Sequence, residues 1–370
     1  RVMIVMAISG KPDLIIADEC TTALDVTTQL QILDLLKNIS KKTNISILLI
    51  THNLAVVSYI CSKVYVMFEG KTIENAESKK LFLRPQHEYT KKLLNSSKQI
   101  ENSEFYSNHE INKILNIENL NKNFQLPGTK KLLKAVNDLS FDLKEGEIFG
   151  IAGESGSGKT TVANLLMGLL EANSGKISFI NKEINQYLKN EKTNFRKNIQ
   201  MVFQDPYGSL NPRKTIGTTL SLAIKIHFNL EEKEIKNKVF ELLEKVELTP
   251  PEVFYDRHPH ELSGGQQQRV AIARAISTEP KLIISDEAVA SLDMSIRSEI
   301  LKLLKKINTE TKVSMIMISH DLSVLKNMCN RIAIMHLGKI VEIGDKKEIF
   351  DSPQHDYTKK LISATLEIPN

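Results

Sequence analysis

Cysteine is scarce in this 370-residue chain: Cys20, Cys61 and Cys329 are the whole complement. No two of them form a C-x-x-C pair, so neither a zinc or iron–sulfur site nor a disulfide framework is expected. Reduced thiols fit a cytosolic protein. Long apolar runs are missing as well. No stretch approaches 18 uninterrupted apolar residues, so no membrane-spanning helix is read from the sequence. No secretory leader pattern is present. No basic block stands out behind the formal net charge of +5, so nucleic acid is not an expected partner. What remains is ordinary globular material. Hydrophobic residues make up 41% and charged residues 25%, enough apolar side chain for a core in each of two or three domains.

Residue 1 is Arg, and it opens an apolar, helix-like stretch, Arg1-Val2-Met3-Ile4-Val5-Met6-Ala7-Ile8, with no cap before it. The expectation is that the chain is cut from a longer one. Residues 1–94 match residues 269–362 without a gap at an offset of 268, which pairs Asp18 with Asp286, Asp25 with Asp293, His52 with His320 and Pro85 with Pro353. About 41 of the 94 aligned positions are identical, against roughly 6% by chance on average composition. One domain type is therefore present twice. The first copy begins at the equivalent of Arg269, and about 150–160 residues of the second have no counterpart in it. This reading divides the chain into the C-terminal part of a first domain with its tail (1–94), a linker (95–112), a complete second domain (113–348) and a C-terminal extension (349–370). Within the second domain, short apolar runs at Ile148–Ala152, Ile199–Phe203, Leu282–Ser285 and Val313–Ile318 read as strands. Amphipathic helical stretches such as Ile300–Ile307 separate them, a pattern that predicts a parallel sheet in an α/β domain.

Gly153-Glu154-Ser155-Gly156-Ser157-Gly158-Lys159-Thr160 fits G-x-x-x-x-G-K-[ST], follows a strand-like run and precedes a helix-like one, Thr161–Leu170. The glycines let backbone N–H groups turn inward as an anion nest, and the helix N-terminus adds its positive dipole end. Lys159 is placed to reach the β- and γ-phosphates, and the Thr160 hydroxyl to ligate Mg²⁺. A flexible glycine turn with an exposed lysine is the plain alternative, which the strand–loop–helix context disfavours.

Leu282-Ile283-Ile284-Ser285-Asp286-Glu287 is a buried-strand run ending in two adjacent carboxylates. Such a pair repels itself unless a cation or partner is near. Mg²⁺ on Asp286 resolves the repulsion, and Glu287 then stands as general base toward the attacking water. His320 ends another apolar strand, and parallel strands present their carboxyl ends on one ligand-binding edge. It is a candidate to hydrogen-bond the γ-phosphate. A lone strand-end histidine is more often structural, but His52 occupies the matching place in the first copy, as Asp18 and Glu19 match the acidic pair.

Taken together these residues resemble the ABC transporter ATPases. The most specific element is Leu262-Ser263-Gly264-Gly265-Gln266, similar to that family's signature loop. The resemblance implies an α/β P-loop cassette with a mostly parallel sheet, an antiparallel β subdomain and a helical subdomain. It also implies binding and hydrolysis of Mg-ATP between two cassettes paired head to tail, where Ser263, Gly264, Gly265 and Gln266 of one meet the γ-phosphate held by the other. Gln204 resembles the Q-loop glutamine that ligates Mg²⁺ or water. Asp293, and Asp25 in the first copy, resemble the D-loop aspartate at the dimer seam. Phe124 resembles the aromatic that stacks on adenine, although a plain core role suits it equally. Two departures stand out: the usual Pro after the catalytic Glu is replaced by Cys20 and Ala288, and the Asp usual after the switch His is Asp321 in one copy and Asn53 in the other.

Phe203-Gln204-Asp205-Pro206-Tyr207-Gly208-Ser209-Leu210-Asn211-Pro212-Arg213 narrows the resemblance to the oligopeptide/dipeptide importer branch, and so does the tail pattern Pro-x-His-x-Tyr-Thr at Pro85 and again at Pro353. That branch's occasional cysteine-rich, cluster-binding tail is absent. The implied partners are two integral-membrane permease subunits, an external solute-binding protein and a second cassette, with the chain on the inner face of the cell membrane. A tandem ABC protein acting on ribosomes is the alternative, but such factors usually have a long charged linker and lack the tail pattern. One expectation concerns the first copy: as given, the chain has neither the first phosphate loop nor the first signature, and is expected to bind Mg-ATP at the second domain but to hydrolyse it poorly, unless two chains pair their second domains symmetrically.

Overall fold

The structure is a computed structural model that describes residues 2–21, 24–98, 112–126, 128, 131–290 and 292–366, the side chains of 96–98 excepted. Most of the expected linker, 99–111, lies outside the described residues. Two compact units result: Arg1–Gln99 with Asp293–Ser298 and Lys359–Asn370, and Ile100–Leu292 with Glu299–Thr358.

In the first unit, β1 (Leu14–Asp18) and β2 (Ser46–Ile50) pair in parallel, from Leu14 opposite Ser46 to Asp18 opposite Ile50. The helix Val26–Thr43 connects them. Its start is fixed by Asp25, whose carboxylate accepts the Thr28 N–H, and its buried side chains Ile32, Leu33 and Leu36 follow helical spacing. In β1, Ile15 and Ala17 are buried while Leu14 and Ile16 are exposed, the period-two alternation of a sheet with one covered face. A hairpin of β3 (Lys63–Phe68) and β4 (Lys71–Glu77) follows. It packs Val64 and Val66 into a cluster with Val57, Leu81, Phe82 and Leu94.

In the second unit, β5 (Lys113–Gln125), β6 (Leu132–Lys144), β8 (Ser174–Phe179) and β9 (Lys182–Glu183) make an antiparallel sheet in the order β6-β5-β8-β9. A six-stranded sheet is built from β7 (Ile148–Ala152), β10 (Ile199–Val202), β11 (Leu282–Asp286), β12 (Ser314–Ser319), β13 (Arg331–His336) and β14 (Lys339–Asp345), in the order β10-β11-β12-β7-β13-β14. All its pairings are parallel except β13 with β14. Every residue of β7, β11 and β12 is buried, as parallel strands covered on both faces require. Corresponding strands of the two copies therefore differ: β11 is buried throughout and β1 alternates. The two sheets meet through Phe141 and Phe149, stacked at 4.9 Å. Each such ring contributes about 1.5–3 kcal/mol by leaving water. Helices Ile216–His227, Glu232–Lys245 and Pro251–Tyr255 form a separate helical layer before Gly264–Ile276. The α/β architecture read from the sequence is the one observed: mostly parallel sheet, antiparallel sheet, helical layer.

Candidate nucleotide site

Strand register brings the candidate residues together. Ala152 pairs with Ser319, and Ile318 pairs with Asp286. The residues that follow each strand, Gly153, His320 and Glu287, therefore emerge side by side at the carboxyl edge of the sheet. Val202 pairs with Ser285, which adds Gln204 to the same edge.

The phosphate loop is closed by its own lysine. Lys159 is buried, and its ammonium donates to the Gly153 and Glu154 carbonyls at 2.8 and 2.9 Å. Gly158 has φ +106°, and a Cβ there would lie 2.1 Å from the Ala135 carbonyl oxygen. At Gly153 a Cβ would lie 2.2 Å from the Met335 carbonyl oxygen. Only glycine fits a backbone pressed this closely against β6 and β13. Beyond the loop, the helix starts at Lys159 and ends at Leu166, shorter than the Thr161–Leu170 stretch read from the sequence. Thr160 and Thr161 lie in its first turn, where unpaired N–H groups favour an anion.

Asp286 is where a cation fits. Burial pushes its carboxyl above the usual carboxylate range and the Glu287 charge adds to the effect, against the Thr160 hydroxyl bond and the Lys159 charge. Its Oδ1 is buried with no hydrogen-bond partner among the described residues. A buried, half-satisfied carboxylate beside a threonine hydroxyl is a donor set suited to Mg²⁺, which prefers one or two carboxylates plus phosphate oxygens and water.

Three contacts tie Glu287 to the neighbouring strand ends. Its N–H donates to the Ile318 carbonyl at 3.0 Å, His320 Nδ1 lies 3.0 Å from its Oε1, and Gln204 Nε2 donates to its Oε2 at 3.2 Å. The His320 bond holds the carboxyl below its ordinary value, against burial and with help from the charges of His320 and Lys159. Its backbone sits at φ +49°, a left-handed conformation that a non-glycine residue adopts at a cost of about 1–2 kcal/mol.

The first unit repeats this acid–histidine pair. Glu19 has φ +44°, its N–H donates to the Ile50 carbonyl at 2.9 Å, and His52 Nδ1 lies 2.7 Å from its Oε1. Asp18 ends β1 as Asp286 ends β11. The Asn53 and Asp321 departure is absorbed locally: Asn53 caps its helix by accepting the Ala55 and Val56 N–H groups, and Asp321 accepts the Ser323 N–H. Either residue serves a helix N-cap.

The remaining candidates stand apart from this cluster. Ser263 and Gln266 form a reciprocal capping box at the start of Gly264–Ile276, with Ser263 N–H donating to Gln266 Oε1 at 3.0 Å. Gly264 and Gly265 are that helix's first residues. Asp293 Oδ1 accepts the Ile296 N–H at 3.1 Å, as Asp25 does for Thr28. Phe124 lies near the end of β5 opposite Leu133 and is 36% exposed, so it is not the plain core residue it also resembled; Lys122 stands over its ring. Sequence reasoning missed Tyr357, whose hydroxyl accepts the Glu154 N–H at 3.3 Å. The signal was the recurrence of the tail at the fixed offset, and nothing local to Tyr357 pointed to the phosphate loop.

A glycine-formed anion cradle, a buried lysine, and a carboxylate pair with a histidine on the edge of a parallel sheet define a P-loop nucleotide-binding cassette. Comparison with known proteins specifies it further. Residues 136–290 match the ABC transporter family. Residues 73–128 and 341–370 match the oligopeptide/dipeptide transporter C-terminal region. The chain is 40% identical over 393 aligned positions to the glutathione import ATP-binding protein GsiA of Escherichia coli O157:H7, covering 98% of this chain and 63% of that protein. It is 39% identical to GsiA of strain K12 over the same shares. The chain thus spans about 63% of the length of these curated relatives. Among solved structures, the cassette MJ0796 in a dimeric post-hydrolysis state bound to ADP and Pi is similar at TM-score 0.57 and 30% identity, covering 63% of this chain and 98% of that one. CbiO1 from Clostridium perfringens, part of the transporter complex cbiONQ, is similar at TM-score 0.57 and 32% identity, covering 65% and 91%. The chain belongs to the ABC transporter ATP-binding family, in its oligopeptide/dipeptide branch. These relatives give the ribosome reading no support. No helix among the described residues is long and apolar enough to cross a membrane.

Proposed function

We propose that this chain is the ATP-binding and ATP-hydrolysing subunit of an importer for di- or oligopeptides or similar solutes, glutathione-like thiols included. The observation that carries the reading is the contact set around Glu287, which joins the ends of β10, β11 and β12 beside the phosphate loop. In this reading Gly153–Thr161 cradle the triphosphate, and Lys159 exchanges its two carbonyl contacts for the β- and γ-phosphates. Asp286, Thr160 and Gln204 would hold Mg²⁺, which would supply charge neutralisation at the transferring phosphoryl group. Glu287 accepts a proton from the attacking water, a role open to it because a carboxylate is in its basic form at neutral pH. With His320 Nδ1 donating to Glu287, Nε2 is the ring nitrogen left to meet the γ-phosphate, to which it donates as an imidazolium. Ser263, Gly264, Gly265, Gln266 and Asp293 serve the seam with a second cassette, and Phe124 stacks on adenine.

Residues 1–94 belong to a first cassette in which Asp18, Glu19, Asp25 and His52 take the matching roles. Residues 95–112 link it to the second cassette at 113–348, which the extension at 349–370 follows. The partners are two permease subunits and an external solute-binding protein, with the chain peripheral on the inner face of the membrane. The names of the relatives support import, and the tail region supports the peptide branch. The test is co-purification of the full chain from detergent-solubilised cells. Two polytopic membrane proteins are expected; ribosomes without membrane proteins would overturn the importer reading and leave the ATPase reading standing.

A further inference from the structure

We propose that Tyr357, in the C-terminal tail, is a positioning residue for the phosphate loop and acts through Lys159; the inference rests on the reading of Gly153–Thr160 as the nucleotide loop. The Gly153 carbonyl accepts Lys159 Nζ at 2.8 Å, and the N–H of the same peptide, on Glu154, donates to the Tyr357 hydroxyl at 3.3 Å. A trans peptide is planar, with its carbonyl and N–H pointing opposite ways. The unit is therefore gripped from both sides. If the tyrosine side lets go, the plane is free to turn, and the carbonyl that anchors Lys159 turns with it.

Everything about Tyr357 except its hydroxyl is fixed elsewhere. Its ring stacks on His336 at a centroid distance of 3.9 Å, and the residue is 9% exposed. Its N–H donates to His355 Nδ1 at 3.1 Å. The turn before it is tied to β14, where the Glu342 carboxylate accepts the Gln354 and His355 N–H groups at 2.8 and 3.0 Å. The β13–β14 hairpin also touches the loop directly, through the Gly338 N–H to the Ser157 carbonyl at 3.0 Å. Hairpin and tail thus form one brace, with the Tyr357 hydroxyl as its contact on the Gly153–Glu154 peptide.

The brace recurs in the first unit. Glu74 accepts the Gln86 and His87 N–H groups at 2.8 and 3.0 Å, Tyr89 N–H donates to His87 Nδ1 at 3.1 Å, and the Tyr89 ring packs on Phe68 at 4.2 Å. The Pro-x-His-x-Tyr-Thr pattern therefore encodes a device that presents a tyrosine from a tail anchored on the last hairpin. In the second unit that tyrosine reaches the phosphate loop.

The experiment is ATP, ADP and AMP binding to the full chain carrying Tyr357→Phe, which keeps the stacked ring and removes the hydroxyl. Loss of one hydrogen bond at a site that positions Lys159 is expected to weaken ATP and ADP binding about three- to tenfold. AMP, which has no β- or γ-phosphate for Lys159 to meet, is expected to bind as before, with Tm unchanged. ATP affinity equal to wild type would overturn the proposal. So would equal weakening of all three nucleotides with a lowered Tm, since that marks a merely structural role. Wild-type chain that binds no ATP would overturn the phosphate-loop reading itself, and this inference with it.

Discussion

His320 Nδ1 stands 3.0 Å from Glu287 Oε1, and 268 positions earlier His52 Nδ1 stands 2.7 Å from Glu19 Oε1. In the second pair the histidine holds the acid below its ordinary pKa. His320→Ala is therefore expected to raise the Glu287 pKa and to lower the hydrolysis rate about 10²–10³-fold. ATP affinity should change by no more than about tenfold. The pairing also has a stability sign. A carboxyl depressed in the folded state contributes stability that is fully present above its unfolded pKa, about 4.3, and fades as pH falls through the lower folded value. Acid unfolding of the Mg-free wild type should be steeper in that window than that of Glu287→Gln, as followed by circular dichroism.

Asp286 carries the opposite sign. Burial first, and the Glu287 charge after it, raise its pKa. Its contribution to stability is fully present below the unfolded value of about 3.9 and is lost as pH rises through the raised folded value. Asp286→Asn is therefore expected to melt at a higher temperature than wild type at neutral pH in EDTA, and to lose the gain in ATP affinity that Mg²⁺ gives. A lower melting temperature would show that the carboxylate is stabilising where it sits.

Lys159 makes two charge-assisted bonds inside the loop and is placed to make others to phosphate. Lys159→Ala should weaken ATP binding about 10- to 100-fold, on about 1.5–3 kcal/mol per bond to a charged group. Calorimetric titration measures this directly, and unchanged affinity would refute the phosphate-loop assignment.

Two glycines of that loop separate strain from space. A Cβ on Gly158 meets backbone at 2.1 Å at φ +106°, whereas one on Gly156 meets nothing within 4 Å at φ +79°. Gly156→Ala should cost about 1–2 kcal/mol, the left-handed penalty alone. Gly158→Ala should cost more, because a strand carbonyl must move. Denaturant unfolding of the two variants gives the ranking.

How much of this was legible in the sequence differs by element. The runs at Ile148, Ile199, Leu282 and Val313 read as strands because both faces of a parallel sheet are covered and the residues are continuously apolar. β5 gave a weaker signal: Asn116, Asn119, Asn121 and Asn123 interrupt its apolar residues, and its register against β6 shifts repeatedly. Spacing showed where the acidic pair and His320 lie along the chain, but only strand register shows Gln204 and His320 on opposite oxygens of one carboxylate. The Tyr357 contact joins residues 203 positions apart, beyond any local periodicity. The strand β1 carries nearly the same residues as β11, yet Leu14 and Ile16 are exposed, because covering both faces depends on neighbours that the strand's own sequence does not name.

The most direct test of the account is phosphate release from Mg-ATP by the full chain and by Glu287→Gln, with ATP affinity measured for both. The glutamine keeps the size of the side chain and one accepting oxygen but cannot take a proton. ATP affinity is expected within about tenfold of wild type and turnover is expected to fall about 10²–10⁴-fold, the range of general-base catalysis. Turnover equal to wild type would contradict the placement of the catalytic base at Glu287, and with it the reading of this sheet edge as the centre of hydrolysis.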